Sequence, residues 1–483
     1  MSPRTLTVAD ALTGPDYVPS GPCAIDLEGG RIAAVRPAAA PAGRRLLALP
    51  APIDAHDHAR PLSPTSFGAA LKPLELWLPR LAAMPPVDAE LAATAALGRA
   101  LAGGVAGAMV HLVRPAGAGA PLDEARAVAR AAAGLGLPVG FALGMRDRHP
   151  LVPGDHAPLL AALPGDAAEA VRRAWLAPTP SVADQLARVE EIADALAGPG
   201  FDVQYGPNGV QWCSDALLEA IAEASATTGR RVHMHLLETK PQRDWADATF
   251  AEGIVAHLDR LGLLSPRLTV AHAVWARADE LALLAERGVR VVVNPSSNLH
   301  LASGVAPVTA MCGAGVEVGL GLDGCALDED DDALRELRLL RLLNAGRGFD
   351  DGLDVAGALR AACVVGRAAI GLAPGGTIAA GAPADLLLLD LDGLDRDGLM
   401  PVDPRELLFT RANQAHLVEV VVAGRTVARD GRPLAVDLDA VHAELRAAYR
   451  TALAHGNDAL TAWPALAPHL AAFYRDQLGC GCP

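Results

Sequence analysis

The sequence predicts an α/β fold, a (β/α)8 TIM barrel with a small composite β-sandwich domain built from the N- and C-terminal segments. Two observations lead to this prediction. Between residues 51 and 375, short apolar runs alternate with stretches in which apolar residues recur at i, i+3 and i+4, the spacing of amphipathic helices. In residues 1–50 and 376–435, short alternating strands are instead separated by glycine and proline turns.

Eight strand-like runs lie in the central region. Buried strands that alternate with helices are typical of a parallel sheet, and eight such units close a barrel. An open doubly wound sheet is the alternative, but no glycine-rich phosphate-binding motif follows the first run. We therefore predict a barrel at 51–375, a composite domain from 1–50 and 376–435, and a helical extension at 436–483. The predicted barrel strands are, in order, APIDAH, GAMVHL, PVGFALGM, DVQYG, RVHMHL, LTVAHAV, RVVVNP and VEVGLGLD.

The composition excludes several classes of protein. The chain has 483 residues, 51% of them hydrophobic, and 41 basic against 56 acidic residues give a net charge of −15. The apolar fraction excludes intrinsic disorder, and the acidic balance without a basic stripe argues against a nucleic-acid partner. No run of about 18 apolar residues indicates a membrane span. With no secretory signal and seven scattered cysteines, we expect a cytoplasmic location.

Two of those cysteines, Cys480 and Cys482, lie at the extreme C-terminus with one glycine between them. They could hold a metal, but two thiols are too few for a closed site. The sequence assigns no role to this tail.

Histidine and acidic residues fall where several predicted strands end. His56 and His58 are two apart, so on a strand both imidazoles point to the same face. His235 ends the fifth strand, His272 the sixth and Asp323 the eighth, and Glu238 follows His235 by three residues. Because the carboxyl ends of barrel strands form one mouth, these side chains are expected to converge. Three histidines and a carboxylate form a nitrogen and oxygen site that suits zinc or ferrous iron.

These motifs resemble the amidohydrolase superfamily, and within it the branch of chlorotriazine hydrolases and cytosine- or adenosine-type deaminases. The resemblance covers residues 1–435. It departs at Ala51-Pro52, where the family usually has glycine, and at Leu322, where a small polar residue is more common; neither change removes a ligand. The matching segments are LPAPIDAHDH, VHMHLLETKPQRDW, LTVAHAVW, VVVNPSSNLHLASGVAPV and VGLGLDG.

The resemblance implies a role for each of these residues. Glu238 is the proton shuttle, His272 lies beside the attacking water, and Asp323 both binds metal and accepts a proton. The metal ligands are His56, His58, His235 and Asp323.

The resemblance also bears on the number of metal ions. Members with two ions bridge them with a carboxylated lysine at the end of the fourth strand. This chain has lysine only at Lys72 and Lys240, neither of them near that strand. We therefore expect one divalent metal, with zinc as the first choice and iron as the alternative.

The predicted function is hydrolytic deamination of an aminated nitrogen heterocycle of the purine, pterin, pyrimidine or triazine type, with release of ammonia. Hydrolysis of a cyclic amide or ureide, displacement of another leaving group from the ring, and a non-catalytic barrel scaffold are the alternatives. The resemblance implies a homodimer or a larger homo-oligomer, and the expected partner is a small heterocyclic substrate. Candidate substrate contacts on the loops are Trp77, His111, Arg146, Arg148, Gln204, Tyr205, Gln211, Trp212 and Asn298.

Overall fold

The computed structural model describes residues 3–148, 151–324, 329–350 and 352–477. Cys480 and Cys482 therefore lie outside the described residues. The chain opens with six short strands, and in β1 buried Leu6 and Val8 alternate with less buried residues. These strands are β1 Arg4–Val8, β2 Asp10–Thr13, β3 Val18–Pro19, β4 Cys23–Glu28, β5 Arg31–Pro37 and β6 Leu46–Pro50.

Seven parallel strands follow and form one curled sheet in which every strand pairs with its neighbours in chain order. Their residues are almost all buried on both faces, which is why they read as continuous apolar runs rather than alternating ones. They are β7 Ala108–Leu112, β8 Val139–Met145, β9 Phe201–Pro207, β10 Val232–Leu236, β11 Leu268–His272, β12 Arg290–Val293 and β13 Glu317–Leu320.

The segment 53–57 closes this sheet into a barrel, although it is less regular than the strand predicted there. On one side the Asp54 carbonyl accepts a hydrogen bond of 2.8 Å from the amide of Met109, a residue of β7. On the other side the Ala55 amide donates to the Leu320 carbonyl at 2.9 Å, at the end of β13. The predicted eight-unit barrel is confirmed, with seven full strands and this closing segment.

Strands from the two ends of the chain combine into two further sheets. The later strands are β14 Leu386–Asp390, β15 Leu417–Val422, β16 Arg425–Arg429 and β17 Arg432–Pro433. One sheet has the order β1-β4-β5 and the other β17-β16-β15-β14-β6-β2-β3. Val8 and Ile25 of the first sheet share a buried cluster with Ala48 and Leu386 of the second. The N- and C-terminal segments therefore do form a composite β structure.

Several helices begin or end at residues suited to capping, as the helix Asp215–Thr228 shows. Ser214 accepts from the Leu217 amide at the start of its helix, and Gly229 ends that helix with φ of 75°. The helices that precede β14 are α1 Leu74–Arg80, α2 Ala89–Ala102, α3 Pro121–Leu135, α4 Ala157–Ala161, α5 Gly165–Trp175, α6 Val182–Leu196, α7 Asp215–Thr228, α8 Lys240–Thr249, α9 Ile254–Arg260, α10 Ala278–Glu286, α11 Pro295–His300, α12 Val308–Gly313, α13 Ala333–Leu343, α14 Val355–Arg360 and α15 Gly366–Ala369.

The last helices pack over the loops at the mouth of the barrel. Those after β14 are α16 Leu391–Leu394, α17 Pro404–Arg411, α18 Leu438–Leu453 and α19 Asp458–Ala472. Leu466 of α19 is fully buried in a cluster with Val171 and Trp175 of α5, and Tyr449 of α18 packs in another cluster with Trp77 of α1. Within the described ranges, no helix combines the length and apolarity that crossing a membrane requires.

Candidate metal centre and active site

The predicted polar residues meet at the carboxyl ends of the barrel strands. His56 comes from the closing segment and His58 directly follows it, His235 lies near the end of β10, and His272 is the last residue of β11. The backbone turns sharply at two of these points, with φ of 75° at His272 and 56° at Asp323. Non-glycine residues rarely adopt this conformation, and such strain is concentrated at functional sites.

Nitrogen and oxygen atoms of these side chains face one another across a small space. His58 Nε2 lies 3.2 Å from Asp323 Oδ1 and 3.3 Å from His235 Nε2. His56 Nε2 lies 3.8 Å from Asp323 Oδ1 and has no hydrogen-bond partner among the described residues, although it is fully buried. Donors at this spacing, with an unsatisfied buried nitrogen, fit a single metal ion.

Hydrogen bonds at the other ring nitrogens fix how the imidazoles point. His58 Nδ1 donates to the His111 carbonyl at 2.7 Å, and His235 Nδ1 donates to the Asn208 carbonyl at 2.6 Å. His56 Nδ1 lies 2.7 Å from Nε2 of His233, which is buried behind it. With Nδ1 engaged, the Nε2 lone pairs are directed into the site, as metal ligation requires. Burial lowers the pKa of His56 and His235, which keeps both rings neutral.

Asp323 is held by three neighbours. Ser297 Oγ donates to Oδ2 at 2.6 Å, and Arg60 Nη1 lies 3.3 Å from Oδ1. Burial acts to raise the pKa of Asp323, but the charge of Arg60 and the hydrogen bond to His58 hold it well below its usual value. The carboxylate is therefore ionised and ready to bind a cation.

Glu238 and His272 form a second pair beside the ligand set. Glu238 Oε2 lies 3.7 Å from His272 Nε2, and Glu238 Oε1 is buried without a partner among the described residues. Burial and the charges of Asp323 and Glu75 raise the pKa of Glu238 well above its usual value, as is common for carboxyl groups that exchange protons in an active site. Asn298 Oδ1 accepts from His272 Nδ1 at 2.9 Å and sets the ring orientation.

A cavity of about 310 Å³ opens onto these groups. Its wall contains Trp77, Arg146 and Trp212, which were predicted from the loops. Asn298 and His111 act one step away, through His272 and His58. The cavity is lined by His58, Arg60, Leu74, Trp77, Leu78, Pro79, Leu81, Ala82, Val113, Arg114, Pro115, Arg146, Ala174, Trp175, Asn208, Trp212, His235, Glu238, His272, Leu301 and Asp323.

Besides Asn298 and His111, four more predicted substrate contacts lie outside this cavity. Gln204 Nε2 donates to Asp202 and to the Ala369 carbonyl, and the Tyr205 hydroxyl donates to Glu190 outside the barrel. Both residues lie inside β9, which ends at Pro207, one residue beyond the predicted strand. Asn208, the first residue after β9, lines the cavity instead. Gln211 lines a separate small cavity, and the side chain of Arg148 is exposed.

Sequence reasoning missed several residues of the site. Arg60 follows His58 by two residues, and that proximity could have marked it. Arg114, Asn208 and Ser297 sit just beyond their strands, where the sequence carries no signal to separate a contact from an ordinary loop residue.

Comparison with known proteins identifies the family. The amidohydrolase family model matches residues 47–427, most of the chain and every residue of the ligand set. The chain belongs to the amidohydrolase family. Its buried histidines, together with Asp323, form groups of side chains that could hold a metal ion.

Relatives of known name support this assignment. The chain is 35% identical over 253 residues to a 5-methylthioadenosine/S-adenosylhomocysteine deaminase of Moorella thermoacetica, a match of 52% of this chain and 58% of that protein. It is 33% identical over 246 residues to a 5′-deoxyadenosine deaminase of Methanothermobacter thermautotrophicus, or 50% of this chain and 57% of that one. The chain therefore spans little more than half the length of these relatives.

Solved structures match almost the whole amidohydrolase chain. An adenosine deaminase from Xanthomonas campestris with bound zinc has a TM-score of 0.75 at 26% identity, covering 93% of this chain and 98% of that one. Atrazine chlorohydrolase from Arthrobacter aurescens, complexed with zinc, has a TM-score of 0.74 at 22% identity, covering 92% and 98%. The second likeness shows the fold alone.

Proposed function

We propose that this protein is a metal-dependent aminohydrolase that removes an amino group from a nitrogen heterocycle and releases ammonia. The observation that supports this most directly is the buried Glu238–His272 pair beside the histidine and aspartate cluster, at one end of a cavity large enough for such a ring. The relatives named as adenosine-type deaminases favour an adenine-like ring, and pterin, pyrimidine and triazine rings are the other candidates.

The metal would be held by His56, His58, His235 and Asp323. The unpartnered Nε2 of His56 and the short His58–Asp323 and His58–His235 distances are the features that fit an ion. Zinc is our first choice, with iron as the alternative, because three imidazoles and one carboxylate suit either. When bound, such an ion supplies Lewis acidity and lowers the pKa of water toward neutrality.

The chain's own groups supply the proton transfers. Glu238 takes a proton from the attacking water and delivers it to the departing nitrogen, which must leave protonated. Its raised pKa makes Glu238 a stronger base toward the water and lets it keep the proton until the nitrogen departs. His272, whose Nδ1 is fixed by Asn298, would orient the water and stabilise the oxygen that adds to the attacked carbon.

A flat ring needs an apolar or aromatic wall, and the cavity provides one. Trp77, Trp175 and Trp212 all line it, although the chain has only six tryptophans. We also propose the division into a barrel at 51–375, a composite β domain and a C-terminal extension, a homo-oligomeric assembly and a cytoplasmic location.

An ammonia-release screen tests the proposed activity. Purified, zinc-loaded protein is incubated with aminated purines, pterins, pyrimidines and triazines, and a chelator-treated sample serves as the control. Ammonia from at least one class, lost on chelation and restored by zinc, is the expected result. Ammonia from none of them would overturn deamination and favour hydrolysis of a cyclic amide or ureide.

A further inference from the structure

Three arginines line the cavity, and among the described residues only Arg60 has a carboxylate partner. Arg60 is balanced by Asp323 at 3.3 Å, and its guanidinium also lies 4.8 Å from the ring centroid of Trp77. Arg114 and Arg146 form no ion pair with any acidic group in the ranges that the structure describes.

The hydrogen bonds that Arg114 and Arg146 do make leave their charge uncompensated. Arg114 donates to the carbonyls of Leu81 and Met84, and Arg146 Nη1 donates to the Arg148 carbonyl at 3.2 Å. Burial lowers the pKa of both guanidinium groups. A cation taken out of water without a counter-charge is costly, and proteins rarely keep two in one cavity without a use.

Strand pairing puts the two arginines on the same side of the barrel mouth. Arg114 follows the end of β7 by two residues and Arg146 follows the end of β8 by one, and β7 and β8 are hydrogen-bonded neighbours with Leu112 opposite Leu143. The metal-facing groups instead come from the closing segment, β10, β11 and the turn after β13. The acidic lining residues Glu238 and Asp323 belong to that second set.

We infer that the substrate of the proposed deamination carries an anionic oxygen group, a carboxylate or a phosphate, which Arg114 and Arg146 bind while the amino-bearing ring lies toward Glu238. Guanidinium groups recognise both kinds of oxyanion through paired N–H donors. The three tryptophans that line the same cavity would cover the ring. This inference rests on the proposed function for the identity of the ring, and on the cavity alone for the charge.

Matched pairs of ligands test the inference. Zinc-loaded protein is titrated calorimetrically with pterin against pterin-6-carboxylate, and with adenosine against adenosine 5′-carboxylate and adenosine 5′-monophosphate. We expect at least one anionic member to bind about tenfold or more tightly than its neutral partner. The carboxylate and phosphate arms identify which oxyanion is bound.

Variants then assign the effect. Arg146→Gln should reduce the preference for the anionic member to less than about threefold, and Arg146→Lys should retain part of it. The matched control is Arg172→Gln on α5, whose arginine is about half exposed and lies outside the cavity lining; it should keep the full preference. Arg114→Gln is the second variant, with melting temperatures compared because it also removes hydrogen bonds to two carbonyls.

Equal affinity for the neutral and anionic members of every pair, or a preference that survives Arg146→Gln and Arg114→Gln alike, would overturn the inference. Binding of no anionic member would overturn it as well. Ammonia is measured in the same samples. If ammonia is released but anionic ligands bind no more tightly, the inference fails and the proposed deamination is retained. If anionic ligands bind more tightly but no ammonia is released, the anion site is retained and the proposed deamination fails.

Discussion

The two ends of the cavity are built in different ways. At the metal-facing end, the imidazoles lie at or near strand ends and are fixed by a second hydrogen bond, as His235 is by the Asn208 carbonyl and His272 by Asn298. At the loop-facing wall, Trp77 and Trp175 come from helices that pack under α18 and α19. The barrel strands position the side chains of the first end, whereas the helices outside the barrel position those of the second. Chemistry and specificity can therefore vary separately.

The largest effect should follow from removing a ligand at the metal-facing end. His235→Ala leaves the proposed site with two imidazoles and one carboxylate, and we expect bound zinc and ammonia release both to be lost. Metal content by mass spectrometry is the measurement. His455→Ala, which removes an exposed histidine outside the barrel, is the control and should keep both. Full zinc occupancy in His235→Ala would contradict the ligand assignment.

Glu238→Gln should separate metal binding from proton transfer. The amide keeps the size of the side chain but cannot accept the proton, so kcat should fall by about 10²- to 10⁴-fold while zinc is retained. Steady-state kinetics and metal analysis check this together. Glu219→Gln on the exposed face of α7 is the control. Turnover at the wild-type rate in Glu238→Gln would remove Glu238 from the mechanism.

Asn298→Ala should have a smaller effect at the same end. Without the bond to Nδ1 the His272 ring is free to turn, and we expect kcat to fall by about 10- to 100-fold. Zinc content should not change if His272 acts beside the metal. Loss of zinc in this variant would instead make His272 a ligand, a reading that the spacing of His56, His235 and His272 also allows.

Leu466→Ala should affect the loop-facing wall alone. The side chain is fully buried between α19 and α5, and its truncation should lower the free energy of unfolding by about 2–5 kcal/mol. KM should rise, because Trp175 loses support, while zinc affinity stays constant. Denaturant unfolding and kinetics are compared with Leu434→Ala, which removes an exposed leucine. An unchanged KM would show that the wall does not need α19.

The same contrast explains how much the sequence could predict. His56, His58, His235, His272 and Asp323 were predictable because parallel strands are contiguous apolar runs and their carboxyl ends must converge. Glu238 came with them, because it follows His235 by three residues.

The substrate wall was harder to predict. Tyr205 was assigned to the cavity, but it lies two residues before the end of β9, and its hydroxyl bonds to Glu190 outside the barrel. Arg114 and Trp175 are in the wall because of how loops and helices pack. No local pattern encodes that packing.

The closing segment 53–57 couples barrel closure to metal affinity. It supplies His56, leads directly to His58, and joins β7 to β13, and Asp54 Oδ1 accepts from the Leu322 amide at 2.8 Å, next to Asp323. A metal ion held by residues of the closing segment and of the neighbouring strands would favour the closed barrel by thermodynamic linkage. The added stability would be RT ln(1 + [L]/Kd), where [L] is the concentration of free metal. Amide hydrogen exchange in the closing segment would therefore slow as zinc is added. The dependence of the exchange rate on zinc concentration would give the affinity for the ion.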